Sequence, residues 1–151
     1  MDKLDFLKTE FPKLVANLNS EAKGEWGVMN GQQMVEHMAD AISQATGKNN
    51  QKLHTAPDLV DKFKSFAMSD KEFKPNTPNA LMSETPPAIK KATMKEAVDE
   101  YNYQVIAFIN YFETNNGATI INPFFGDLNF EEWTHLFHKH AVHHCKQFRL
   151  L

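Results

Sequence analysis

The carboxyl-terminal quarter of this chain contains five of its seven histidines, in a segment with the periodicity of a single helix. A helix turns by about 100° per residue, which gives each side chain a position around the axis. Three apolar side chains fall within about 60° of Trp133 and form a stripe with it: Leu136, Phe137 and Phe148. His140 and His144 fall about 20° to either side of Trp133, in the middle of that stripe. The pattern therefore places two imidazoles one turn apart on a face that we expect to be buried.

Two imidazoles one turn apart on one helical face project together, so their ring nitrogens can reach the same ion. Zinc–imidazole bonds require a distance of about 2.0–2.1 Å. The alternative is that both rings are polar groups satisfied by hydrogen bonds, since an unpaired imidazole on a buried face is costly. The spacing alone leaves both interpretations open, and the central position on the stripe favours metal binding.

A third ligand must come from another helix, and His37 is the candidate. The apolar stripe of its own segment centres near Met38 and Ala45, and His37 lies about 90° away from that centre. It therefore points towards a neighbouring helix. Three neutral imidazoles leave a coordination position for water or substrate, which is typical of catalytic zinc. We predict a metal site between helices, formed by His37, His140 and His144.

The other polar residues of the last helix are predicted to be peripheral. His135 and His138 fall at about 200° and 140° from Trp133, on the opposite face, and are expected to be exposed. His143 is either a neighbour that supports a ligand or a surface residue. Cys145 is turned away from the stripe and is expected to be a packing residue. Gln147 either hydrogen-bonds a ligating histidine or lies at the edge of the packed face.

Other metal and catalytic motifs do not fit the sequence. A di-iron bundle needs Glu-x-x-His motifs on two helices, whereas this spacing occurs only at Glu132 and His135, off the core face. The zincin HExxH motif, the P-loop, GxGxxG and GxSxG are also missing. No catalytic residue is identified.

Four helical segments are predicted to position these residues, at about 2–19, 30–47, 93–115 and from 129 to the carboxyl terminus. Pro12 should kink or split the first. The last three begin with capping pairs, which are Asn30 with Gln33, Thr93 with Glu96, and Asn129 with Glu132. No convincing strand pattern is present, so we predict an all-α fold, most simply a four-helix bundle.

The connections and composition define the remaining organisation. Residues 21–29 are predicted to form a structured turn, and the long irregular stretch 48–92 to include a short helix at 58–68 and a proline-rich part. The 151 residues are expected to form a single domain, 1–151. A net charge of −3 argues against a nucleic-acid partner. One cysteine, no apolar leader and no run of about 18 apolar residues predict a cytoplasmic protein without a membrane span.

Several motifs together resemble the DinB/YfiT-like superfamily of metalloenzymes, and most closely an uncharacterised bacterial branch of it. The matching stretches span nearly the whole chain: Trp26-Gly27-Val28-Met29, Gln33-Met34-Val35-Glu36-His37-Met38, Asn122-Pro123-Phe124-Phe125-Gly126, Glu132-Trp133, Lys139-His140, His143-His144 and Gln147-Phe148. The resemblance implies an up-down-down-up four-helix bundle with a long crossover between helices 2 and 3. It also implies a metal triad of His37, His140 and His144. The branch has a histidine where this chain has Asn122, so that position departs from the pattern.

The resemblance implies a small-molecule substrate, a divalent ion such as zinc or nickel, and a homodimer. Better-known relatives imply transfer chemistry with a low-molecular-weight thiol as cosubstrate, and others imply isomerisation or hydrolysis by activated water. The sequence does not choose between a thiol transferase and a hydrolase. The crossover and the Phe124-Phe125 loop are expected to shape the substrate pocket. The alternative is a non-catalytic helical binding or stress-response module of the same fold.

Overall fold

The computed structural model describes residues 2–75 and 86–151. This part of the chain is mainly helical with one small sheet, which confirms the prediction of a helical fold. Its elements are α1 (Lys3–Asp5), a π-helical turn (Phe6–Glu10), α2 (Phe11–Ala16), α3 (Gly31–Ser43), α4 (Val60–Met68), α5 (Met94–Thr114), β1 (Ile120–Asn122), β2 (Gly126–Leu128) and α6 (Phe130–Gln147). Pro78, within the predicted proline-rich part, lies outside the described residues.

The expectation that the chain has no strands is wrong, because β1 and β2 pair as an antiparallel hairpin. Each strand has three residues, which is too short to show a two-residue hydrophobic alternation. The turn depends on Asn122, whose side-chain oxygen accepts hydrogen bonds from the N–H groups of Phe124 at 2.8 Å and Phe125 at 3.2 Å. Gly126 ends the turn with a φ of 77°, a conformation that favours glycine.

At Pro12, where a kink or a split is expected, a π-helical turn joins α1 to α2. The N–H of Phe11 bonds to the carbonyl of Phe6, five residues earlier. Pro12 has no N–H with which to continue this pattern to the carbonyl of Leu7. The hydroxyl of Tyr101 in α5 donates to that carbonyl instead, at 2.8 Å. The amino-terminal helix therefore continues through Pro12, and this hydrogen bond connects it to α5.

Two of the three predicted capping boxes are complete. In α3, the side chain of Asn30 accepts from the N–H of Gln33, and the Gln33 side chain accepts from the N–H of Asn30, both at 2.8 Å. Asn129 and Glu132 do the same for α6. Thr93 accepts from the N–H of Glu96, but the Glu96 carboxylate accepts from Ala92, one residue before the cap. These caps fix where the histidine-bearing helices begin.

The core lies between α3, α5 and α6, and the amino-terminal helix packs against α5 and α6. Its largest fully buried side chains are aromatic: Trp133, Tyr101, Phe11, Phe108 and Phe137. Burying such side chains contributes about 1.5–3 kcal/mol each, so the core dominates the stability of the helical packing. No helix within the described ranges combines the length and apolarity needed to cross a membrane.

The connection from α3 to α5 contacts α3, α5 and α6. After α3, Gly47 adopts a φ of 78° against the ring of Tyr111. Just before α5, the buried carboxylate of Glu36 in α3 accepts from the N–H of Lys90 at 2.7 Å and of Lys91 at 3.2 Å. At the end of α4, Lys139 of α6 donates to the carbonyl of Phe66 at 3.0 Å.

Candidate metal centre

His37, His140 and His144 meet where α3 packs against α6. The Nε2 atom of His140 lies 3.0 Å from Nε2 of His37 and 2.9 Å from Nε2 of His144. The ligating atoms of all three residues lie within 4.8 Å of one another, so the three side chains are close enough to bind one metal ion. The described part of the chain contains no second group of this kind.

The positions of the three histidines along α6 and α3 explain why their side chains meet. In α6, positions 140 and 144 are one turn apart, so both rings project from the same face. In α3, His37 lies beside the fully buried Met38, on the edge of the face that packs against the core. The flank position that the sequence suggested for His37 therefore lets it meet the ring of His140, whose centroid lies 4.9 Å away.

All three imidazoles are held in the neutral form. Burial lowers the pKa of His144 to about 3, with the neighbouring His37 adding to the effect. Burial, together with His144 and His37, brings the pKa of His140 well below its usual value. Burial also lowers the pKa of His37, although the carboxylate of Asp40 opposes this. Neutral rings suit metal binding, because a ligating imidazole must offer a lone pair.

Hydrogen bonds alone satisfy this cluster poorly. A neutral imidazole has one N–H and one lone pair, so a proton on Nε2 of His140 can be directed at only one of its two neighbours. A cation at the common focus accepts all three lone pairs at once. Three imidazole donors are a set that zinc, nickel and similar divalent ions accept. The donor set thus fits the metal that the sequence suggested.

Gln147 hydrogen-bonds a histidine of the cluster, which decides between the two roles considered for it. Its side-chain oxygen lies 2.7 Å from Nδ1 of His144, and its side-chain nitrogen donates to the carbonyl of Trp26 at 2.8 Å. Gln147 is buried, with 3% of its surface exposed. One nitrogen of His144 is therefore engaged by the protein, and the other faces the cluster.

His143 lies beside the cluster rather than within it. Its half-buried ring lies tilted against Trp26 at 5.4 Å and edge-on against Phe73 at 6.1 Å between centroids. Burial lowers the pKa of His143, and a hydrogen bond to the backbone of Phe73 opposes the shift. Phe73 also lies 6.2 Å from the ring of His140. Sequence reasoning missed Phe73, because it lies in the irregular stretch, where no periodicity indicates which residues turn inwards.

The prediction that His135 and His138 are exposed is wrong, and both are half-buried. Nδ1 of His135 lies 2.7 Å from the Lys3 ammonium, and its Nε2 lies 3.0 Å from the carbonyl of Ser69. The ring of His138 packs edge-on against Phe6 at 5.0 Å. The amino-terminal helix and the end of α4 cover this side of α6, which the arrangement of α6 alone did not reveal.

Cys145 is buried, as expected of a packing residue, and burial raises the pKa of its thiol to about 12. A thiol with so high a pKa is almost entirely protonated at neutral pH and is a poor nucleophile. Cys145 is therefore not a candidate for a covalent step.

Among the described residues, Phe125 and the histidine cluster border different cavities. A small cavity of about 30 Å³, room for one or two waters, borders His37 and is lined by Glu36, Asp40 and Lys90 among others. A larger surface groove of about 380 Å³ runs between Val60 and the hairpin and includes Phe125. The hairpin precedes α6, whereas His140 lies about 15 Å further along its axis. The cavity beside His37 is not lined by Phe124 or Phe125, and the groove that includes Phe125 is not lined by a histidine of the cluster.

Comparison with known proteins gives no assignment. No family model, no curated protein and no solved structure matches this chain. The functional argument therefore depends on the residues of the cluster and their surroundings.

Proposed function

We propose that this chain is a divalent-metal protein of the DinB/YfiT-like superfamily, with His37, His140 and His144 as ligands. The observation that carries the proposal is the convergence of three neutral imidazoles, with Nε2 atoms 3.0 Å and 2.9 Å apart at the two close contacts. The resemblance of the motifs around these three residues supports the same ligand set. Zinc or nickel is the proposed ion, on the chemistry of the donors.

The proposed fold is a four-helix bundle with up-down-down-up connectivity, and contacts between α3 and α5 support the middle of this order. Gln32, at the start of α3, donates to the carbonyl of Lys91, just before α5. Gly47, after α3, lies against Tyr111, near the end of α5. Contacts that pair start with start and end with end are typical of parallel helices, which require a long crossover.

Contacts of α6 support the rest of the order. Lys3 contacts His135, and Phe6, three residues later, contacts His138, which is also three residues later. The amino-terminal helix and α6 therefore run in the same direction along this contact. The loop just before α3 instead meets the end of α6, because the carbonyl of Trp26 accepts from the side chain of Gln147. The amino-terminal helix is thus expected to be parallel to α6, and α3 antiparallel to it.

The proposed activity is that of a metal-dependent thiol transferase or hydrolase acting on a small molecule. A divalent ion held by three imidazoles would supply Lewis-acid chemistry, lowering the pKa of a low-molecular-weight thiol or a water. The protein's own contribution is to hold three uncharged ligands in place, so the ion keeps its full positive charge. The buried Cys145 leaves an exogenous thiol as the candidate nucleophile in the transfer reaction.

The metal content of the purified protein tests the ligand assignment. We expect about one zinc or nickel per wild-type chain after dialysis against the metal and then against buffer, measured by elemental analysis. The His140→Ala/His144→Ala variant should bind none, whereas His54→Ala, which removes an exposed histidine beside Phe124, should bind the wild-type amount. Stoichiometric metal in the double variant would contradict the assignment.

A non-catalytic binding or stress-response module is the second candidate, and the small volume of the cavity beside His37 favours it. The ring of Phe73 lies against His140, and the cavity beside His37 holds about 30 Å³. Thiol conjugation to a generic electrophile, and ester hydrolysis, distinguish the candidates when assayed with zinc and with nickel. An enzyme should show turnover that the double variant loses, whereas the module should show none.

A homodimer is part of the proposal and follows from the resemblance. Ile106, on α5, is 59% exposed and offers an apolar contact. Light scattering should give about twice the chain mass of 17.3 kDa. A mass of one chain at micromolar concentration would contradict the dimer without affecting the ligand assignment.

A further inference from the structure

The side chain of Gln147 connects His144 to the loop 24–27. Its nitrogen donates to the carbonyl of Trp26 at 2.8 Å, and its oxygen lies 2.7 Å from Nδ1 of His144. The N–H of Glu25 in the same loop donates to the main-chain carbonyl of Gln147 at 2.8 Å. The loop thus bonds both the backbone and the side chain of this one residue.

Chemistry determines which group donates in each of the two hydrogen bonds that Gln147 makes, to Trp26 and to His144. The carbonyl of Trp26 can only accept, so the nitrogen of the Gln147 amide must face it. The oxygen of the same amide then faces His144 and can only accept, so Nδ1 of His144 must carry the proton. A neutral imidazole protonated on Nδ1 has its lone pair on Nε2. His144 therefore presents that lone pair to the cluster before any ion arrives.

Two glycines make room for the amide. A Cβ at Gly27 would lie 2.8 Å from the side-chain nitrogen of Gln147, and Gly27 has a φ of +79°. A Cβ at Gly24 would lie 2.8 Å from Cγ of Gln147. A larger residue at either position would push the amide away from His144. Glycine at positions 24 and 27 therefore leaves the space that the side chain of Gln147 occupies.

We propose that Gln147 is a positioning residue that holds His144 as an Nε2 ligand, with the loop 24–27 as its support. The inference rests on the proposed function, because the ligand role of His144 belongs to that proposal. A neutral histidine in water prefers to carry its proton on Nε2, so without Gln147 the ring must change tautomer before it binds an ion. Loss of such a partner typically lowers metal affinity by about 10- to 100-fold.

The first test is the tautomer of His144 in the metal-free wild-type protein, read from long-range ¹H–¹⁵N correlations of its ring. We expect the Nδ1–H form. The Gln147→Leu variant, which has no acceptor, should shift His144 to the Nε2–H form, whereas Gln104→Leu, which changes an amide on α5 that bonds Glu100, should retain Nδ1–H. Nε2–H in the wild type, or an unchanged spectrum in Gln147→Leu, would overturn the inference.

Zinc affinity is the second readout, measured by chelator competition. Gln147→Leu should bind zinc about 10- to 100-fold more weakly than the wild type. The matched control Gln104→Leu removes an amide that bonds Glu100 on α5, and should bind zinc as the wild type does. Equal affinity of Gln147→Leu and the wild type would overturn the positioning role. A wild type that binds neither zinc nor nickel would overturn the proposed function instead, while the tautomer still tests the hydrogen bond.

Discussion

The Nε2 atoms of His37 and His140 lie 3.0 Å apart, although 103 positions separate these residues in the chain. The contact exists only while α3 and α6 stay packed together, so the cluster depends on the tertiary fold. The folded protein also keeps three imidazoles uncharged, because burial disfavours a charged ring and, in addition, a proton on one ring raises the cost of protonating the next. This property makes the stability of the metal-free protein sensitive to pH.

The free energy of unfolding of the metal-free protein should fall as the pH falls below 6.5. The pKa of His144 is about 3 in the folded chain, against an ordinary value of 6.5. Between these values the unfolded chain binds a proton that the folded chain does not, so each pH unit removes about 1.4 kcal/mol. Above pH 6.5 this contribution is complete. Urea unfolding at pH 7.5 and 4.5 should differ by about 2–3 kcal/mol through His144 alone.

Carboxylates also titrate in this range, so variants must isolate the effect of His144. The His144→Leu variant should lose part of the pH dependence, whereas the exposed His54→Ala should keep the wild-type dependence. Equal slopes of stability against pH in His144→Leu and the wild type would show that His144 is not held neutral by the fold.

Cys145 should be unreactive in the folded protein. Its side chain is fully buried and its thiol has a pKa of about 12, so little thiolate is present at neutral pH. Iodoacetamide at pH 7.5 should label the native protein much more slowly than the urea-unfolded chain, as measured by mass spectrometry. Cys145→Ala should keep any thiol-transfer activity. Fast labelling of the native chain, or loss of activity without loss of metal, would contradict this.

Glu36 should contribute more to stability than its exposed neighbour Asp40. Its buried carboxylate accepts from the backbone N–H groups of Lys90 and Lys91 and from the side chain of Gln32. Glu36→Ala leaves these donors without their acceptor and should lower the free energy of unfolding by about 2 kcal/mol or more. Asp40→Ala removes an exposed ion pair with Lys90 and should cost less than about 1 kcal/mol. Urea unfolding of both variants measures the difference, and equal losses would contradict it.

The sequence predicted the cluster because its signals are local. His140 and His144 share a face through the helical repeat, and the capping pairs at Asn30 and Asn129 set the register of α3 and α6. The position of His37 on the flank of its own stripe then required only that α3 and α6 be neighbours. Each step depends on residues within about two turns of one another.

What the sequence did not predict depends on contacts between distant segments. His135 is covered by Lys3 and by the end of α4, and neither contact has a local signal in α6. Phe73 reaches the cluster from an irregular stretch, where no repeat marks the inward face. The strands on either side of the Asn122 turn have three residues each, which is too few positions for a pattern in the sequence. In each case the packing of a second segment decided the outcome.

Tyr101→Phe should lower the free energy of unfolding by more than the loss of a surface hydrogen bond does. The hydroxyl of Tyr101 donates to the carbonyl of Leu7, which Pro12 leaves without its next backbone donor in the π-helical turn. Phenylalanine fills the same buried space but leaves that carbonyl unpaired, at a cost of about 1–3 kcal/mol.

The matched control for this substitution is Tyr103→Phe, on the exposed side of the same helix. Tyr103 accepts from the ammonium of Lys48 at 3.1 Å in an exposed contact, which water replaces. We therefore expect its loss to change the free energy of unfolding by less than about 0.5 kcal/mol. Urea unfolding at pH 7.5 compares the two variants. If Tyr101→Phe is as stable as Tyr103→Phe, the carbonyl of Leu7 has another donor, and the π-helical turn does not depend on α5.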